Sequence, residues 1–111
     1  MICNDSNYPE VARAIAAQGA AAMFIPTNNS LPPEKADVVA QARNVDIATA
    51  RGNTMSIIRA DVAGRAAGRV SYGSSCIVAS NGTVLQAARP FTEDLLVAEI
   101  DTATPARPHA R

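Results

Sequence analysis

The chain has 111 residues, 48% of them hydrophobic, and its ten basic and ten acidic side chains cancel. This length supports one domain at most, and burial of roughly two-thirds of the unfolded surface is enough for a core. The balanced charge leaves no basic face for nucleic acid, and no apolar run is long enough to span a membrane.

Much of the apolar content is alanine, with no tryptophan, two tyrosines and two phenylalanines, so the core is expected to be built from small and β-branched side chains. The first residues carry neither the basic region nor the apolar stretch of a secretory signal, and the chain reads as cytoplasmic. In a reducing compartment Cys3 and Cys76 are expected as free thiols. Three N-glycosylation patterns, at Asn4, Asn28 and Asn81, are then chance matches.

In chain order, the first ten residues, MICNDSNYPE, put a cysteine on a polar turn that leads into a helix. That helix is expected over 9–18. Pro9 suits a first turn because its missing N–H has no intrahelical partner to lose, and Glu10 complements the positive helix start. Val11, Ala14, Ile15 and Gln18 follow helical spacing, and Gly19 supplies a left-handed cap. The apolar run 21–25 predicts a buried strand ending at Pro26, and Thr27-Asn28-Asn29-Ser30 is turn chemistry. A second helix is expected over 33–51, with Val38, Ala42, Val45 and Ala48 on one face and Gly52 closing it. A strand follows over 55–60, a loop over 63–68 and a long strand over 70–78. Ser80-Asn81-Gly82 signals a hairpin returning through 83–87. A last strand is expected over 95–100, and residues 102–111 read as a loose tail. The order suggests an α/β layer structure with both helices on one sheet face and nothing obvious on the other.

Cys3 is the sharpest chemical candidate. A cysteine near a helix N-terminus feels a positive potential that favours thiolate. A cysteine hydrolase also needs a base and an orienting partner, and a lone cysteine is often an inert buried thiol. On the residues alone both readings stand. The single histidine, His109, lies in the tail, where it would have to hold catalytic geometry from a loose segment. The single lysine, Lys35, reads as a solvated charge at a helix start. One histidine supplies no zinc set, and there is no GxGxxG or GxxxxGK[ST] phosphate loop, so neither metal nor cofactor is expected. Asp5 could hold the turn through backbone hydrogen bonds. Asn28 and Asn29 sit just past a strand's C-terminal end, where α/β sheets bind ligands, although both also suit a plain turn. Cys76 lies inside a strand pattern and reads as a buried structural thiol.

Together these residues resemble the nucleophile segment of the carbon–nitrogen hydrolase (nitrilase/amidase) superfamily. The match runs through Ile2-Cys3, Asn4, Asp5, Tyr8-Pro9-Glu10, Arg13, Gly19-Ala20 and Pro26, and the Asp5-to-Glu10 run is similar to the aliphatic-amidase side of that superfamily. Residues 50–64, the strand and hairpin YGSSCIVASNGTVLQAA and the segment EDLLVAEID resemble later family segments in order. The resemblance covers residues 1–101 and implies one domain there, the C-terminal half of an α-β-β-α sandwich. It implies hydrolysis of small-molecule amide or nitrile C–N bonds through a thioester on Cys3. The backbone N–H of Asn4 would donate to the oxyanion, and homo-oligomers would form through helix faces; Tyr8, Asn28 and Asn29 are the residues expected to contact substrate. The family's general-base Glu, catalytic Lys and second Glu lie mostly before the cysteine. Only two residues precede Cys3, and Glu34 and Lys35 do not match those positions. Three expectations follow: a truncated hydrolase inactive by itself, a non-catalytic α/β remnant acting as an interaction module, or a half-enzyme completed by a partner. With half a sandwich missing, an open apolar sheet face is expected to drive association.

Overall fold

A computed structural model describes residues 1–102. The expected tail, with His109, lies outside the described residues from 103 onward. A 3-10 turn over Cys3–Asn7 leads through Tyr8 into α1 (Pro9–Ala17). Pro9 opens the helix, and Gly19, with φ +93°, donates its N–H to the Ala16 carbonyl at 2.9 Å as the chain leaves it.

Strand β1 (Ala22–Thr27) runs two residues past the expected end and contains Pro26. Proline is tolerated there because β1 is an edge strand, whose outer side needs no ladder donor. The second helix is shorter at its start than expected: Pro33–Lys35 is a separate 3-10 turn, and α2 spans Asp37–Asn53. Gly52, expected to close the helix, lies inside α2, and Thr54, at φ 48° and ψ 51°, takes the C-cap position in a left-handed conformation.

Strand β2 (Ser56–Asp61) pairs in parallel with β1, aligning Met23 with Ile57 and Ile25 with Arg59. The expected loop 63–68 is instead half of a small hairpin, β3 (Ala63–Ala66) with β4 (Arg69–Tyr72). Its turn residues Ala67 and Gly68 both have positive φ, the backbone that two-residue hairpins favour. The expected strand 70–78 is broken into β4 and β5 (Cys76–Val78), which belong to different sheets. Gly73 makes the break, with φ +64° and with Ala63 so close that an added Cβ would lie 2.8 Å from its Cβ. Asp61 holds the bend by accepting the N–H and hydroxyl of Ser74 at 2.8 and 2.7 Å. Strand β6 (Val84–Ala87) returns antiparallel through the expected turn, where Gly82 donates to Ala79 at 2.8 Å. Residues 95–100 form no strand; they join neither sheet, and Leu95 and Val97 are exposed.

The main sheet has the order β1-β2-β5-β6. Alternation along the strands sends Met23, Ile25, Ile57, Cys76 and Val78 to one face, where they form the core with Ala12, Ala16, Ala50 and Met55 from the helical layer and its connections. The opposite face carries Phe24, 65% exposed, with Pro26 and Ala60 also exposed.

Candidate functional site

Cys3 begins the 3-10 turn with φ +37°, a left-handed backbone that a non-glycine residue adopts only when its surroundings enforce it. Asp5 closes the turn from both sides. Its N–H donates to the Ile2 carbonyl at 2.9 Å, and its Oδ2 accepts the Ile2 N–H at 3.1 Å. Asn7 Nδ2 donates to Asn4 Oδ1 at 3.0 Å. As a first-turn residue, Asn4 keeps its backbone N–H without an intrahelical acceptor.

The turn faces a cavity of about 350 Å³, within the size range of small-molecule sites. Cys3, Asn4, Ser6 and Asn7 line one side, Asn29 comes from the end of β1, and α2 contributes Val38, Gln41, Ala42 and Val45. These include three of the four α2 positions expected to share a face, but the deeper side of that helix is the one carrying buried Asp46 and Ala50. The cavity lies at the C-terminal ends of β1 and β2, where the parallel pair of an α/β sheet leaves a crevice.

Of the other expected site residues, Asn28 lies outside the cavity lining and accepts the Ser71 hydroxyl at 2.8 Å through Oδ1. Tyr8 is half exposed and also outside the lining. Lys35 and Glu34 are exposed in the second 3-10 turn. Cys76 is fully buried, and burial pushes its thiol up.

The floor of the cavity holds a group that residue-by-residue reading missed. Arg59, 4% exposed, makes a two-pronged pair with Asp46, 1% exposed: Nε to Oδ2 and Nη2 to Oδ1, both at 2.7 Å. Nη1 donates to Thr27 Oγ1 at 2.8 Å, and Nη2 donates also to Ser6 Oγ at 3.1 Å. The Ser6 hydroxyl in turn donates to the Cys3 carbonyl at 2.7 Å. Burial alone would lower the Arg59 pKa, but the hydrogen bond and charge of Asp46 outweigh it and hold the guanidinium above its ordinary value. The sequence signal was a charge inside each of two apolar runs, Arg59 in the strand and Asp46 between Val45 and Ile47. Such residues are almost never fully buried unless paired.

Among the described residues, Arg59 is the one charged side chain lining the cavity, and no carboxylate, lysine or histidine joins it there. No helix among the described residues is long and apolar enough to cross a membrane.

The family model for carbon-nitrogen hydrolases matches residues 1–107. Among solved structures, the carbon-nitrogen hydrolase from Helicobacter pylori G27 superimposes with a TM-score of 0.85 at 27% identity, over 92% of this chain and 39% of that one. A mutant amidase from Nesterenkonia sp. AN1, with the acetamide moiety of fluoroacetamide covalently added at its active site cysteine, matches with a TM-score of 0.67 at 29% identity. That match covers 81% of this chain and 33% of the amidase. Another mutant of the same amidase, in complex with butyramide, matches with a TM-score of 0.67 at 28% identity, over 81% and 33%. The present chain thus spans well under half the length of each. No match is found among curated protein sequences.

Proposed function

This chain belongs to the carbon–nitrogen hydrolase family, and on that premise we propose that Cys3 is the nucleophile for cleavage of amide or nitrile C–N bonds in small molecules outside peptides. The observation that carries this is the strained Cys3 backbone, φ +37°, on a turn that lines a small-molecule-sized cavity beside the N–H of Asn4.

For an amide, the Cys3 thiolate attacks the carbonyl carbon and the oxygen becomes an oxyanion. The Asn4 N–H donates to that oxyanion; a fixed donor of this kind acts where the charge develops. Collapse breaks the C–N bond, the amine leaves with a proton, and a thioester remains on Cys3. Water then adds, the C–S bond breaks, and the carboxylic acid departs as the thiol is restored. Asn29, on the cavity wall, contacts the substrate in this reading, while Tyr8 and Asn28, outside the lining, do not.

Both half-reactions need a base within hydrogen-bond reach, and the described lining of the cavity contains none. On this reading the chain by itself turns over no amide, while an activated ester, whose phenolate leaves without a proton, still acylates Cys3. Incubation with 4-nitrophenyl acetate is expected to place one acetyl group on Cys3 by peptide mapping, while acetamide and butyramide release no ammonia. Acetylation of Cys76 instead, or ammonia release surviving Cys3→Ala, contradicts the assignment.

The open sheet face supports an additional role in assembly. Phe24, 65% exposed on that face, is apolar surface suited to a second copy of the chain, giving a homo-oligomer.

A further inference from the structure

We infer that Ser6 and Arg59 are positioning residues that set the direction of the oxyanion-donating peptide. The inference rests on the assignment of the Asn4 N–H as that donor. Two facts of geometry carry it. The Cys3 carbonyl and the Asn4 N–H belong to one planar peptide unit, and no cis bond occurs in the described chain. Whatever fixes the carbonyl therefore fixes the N–H, which points the opposite way. The carbonyl is fixed at 2.7 Å by the Ser6 hydroxyl, and that hydroxyl is itself held at 3.1 Å by Arg59 Nη2.

Arg59 cannot wander, because Asp46 grips Nε and Nη2 at 2.7 Å and Thr27 takes Nη1 at 2.8 Å. A buried, rigid cation thus stands at the head of a donor chain: guanidinium N–H to serine oxygen, serine O–H to carbonyl oxygen, and across the peptide to the Asn4 N–H. Each donated bond polarises the next group, so the charge of Arg59 also strengthens the last N–H as a donor. The positive φ at Cys3 fits this arrangement, since a strained residue persists only where its surroundings over-determine it. Arg59 touches no reacting atom in this scheme; it acts through Ser6.

The test compares two reactions of the same thiol in the full chain. With 4-nitrophenyl acetate the thiolate attacks a carbonyl, passes through an oxyanion and expels 4-nitrophenolate. With iodoacetamide it displaces iodide, and no oxyanion forms. The ratio of the two rates at Cys3 reads oxyanion stabilisation, with thiolate fraction and exposure cancelled. Ser6→Ala is expected to lower the acylation rate about tenfold or more and to leave alkylation within about twofold. Ser6→Thr keeps the hydroxyl and retains the ratio. Thr27→Val removes one of the bonds that hold Arg59 while Asp46 keeps the other two, and it lowers the ratio by less than Ser6→Ala does. The double variant Asp46→Leu/Arg59→Met removes the pair without leaving a lone buried charge, and it reproduces the Ser6→Ala loss. Melting temperatures identify the variants that fold. If wild type acylates selectively and folded Ser6→Ala does so equally, the inference is overturned while the Asn4 assignment stands. If wild-type Cys3 shows no selective acylation, the Asn4 assignment itself falls, and this inference with it.

Discussion

The two faces of the main sheet come from the same strands and have opposite fates. On one face Ile57 and Arg59 alternate along β2, both nearly without solvent contact. On the other, Phe24 of β1 pairs with half-buried Ile58 of β2 and is 65% exposed. The contrast is not one of composition, since apolar residues occupy both faces. The sealed face differs because α1 and α2 pack on it, and because it carries a charge pair whose every oxygen and nitrogen is engaged. Covering a sheet face allows a buried ion pair to serve as a rigid support, here for the turn that holds Cys3. The open face has no such device and offers surface for association.

The sharpest break in this contrast comes from removing one partner of the pair. Arg59→Leu leaves Asp46 as an uncompensated buried charge, at a cost of about 3–5 kcal/mol. That is a large share of the stability of a domain of this size. The Asp46→Leu/Arg59→Met double variant is expected to recover most of it. Urea denaturation of the variants checks this, and equal destabilisation by the single and double changes would show that the pair is not a coupled unit.

A smaller effect is expected when one residue from each face is truncated. Ile57→Ala empties space in the sealed core, with an expected loss of about 2–4 kcal/mol. Phe24→Ser is expected to change folding stability by only about 0.5 kcal/mol, but to shift the sedimenting species toward smaller assemblies. Comparable destabilisation at both sites, or sedimentation unmoved by Phe24→Ser, would erase the distinction between the faces.

The parts legible in the sequence were those encoded locally. Pro9 and Gly19 marked the ends of the first helix, short apolar runs marked β1 and β2, and Asn81-Gly82 marked the return into β6. Cys3 was legible as a candidate, and the family resemblance of its segment was confirmed across the chain. What escaped depends on contacts distant in sequence. Ala63–Ala66 has no alternating pattern and becomes a strand only because β4 folds back on it. The break at Gly73 is held by Asp61, an acceptor from another strand. Residues 95–100 have strand-like composition, but a strand exists only where a ladder partner lies beside it. Arg59 and Asp46 each looked like an isolated charge in an apolar run, and only the packing of α2 on β2 turns them into one device reaching Ser6.

We propose that the folded chain holds the Asn4 N–H where an oxyanion forms on Cys3. It is tested most directly by measuring acylation by 4-nitrophenyl acetate against alkylation by iodoacetamide at Cys3, in the native chain and again in concentrated urea. A native ratio higher by about tenfold or more, lost on unfolding, is expected. An unchanged ratio would contradict it.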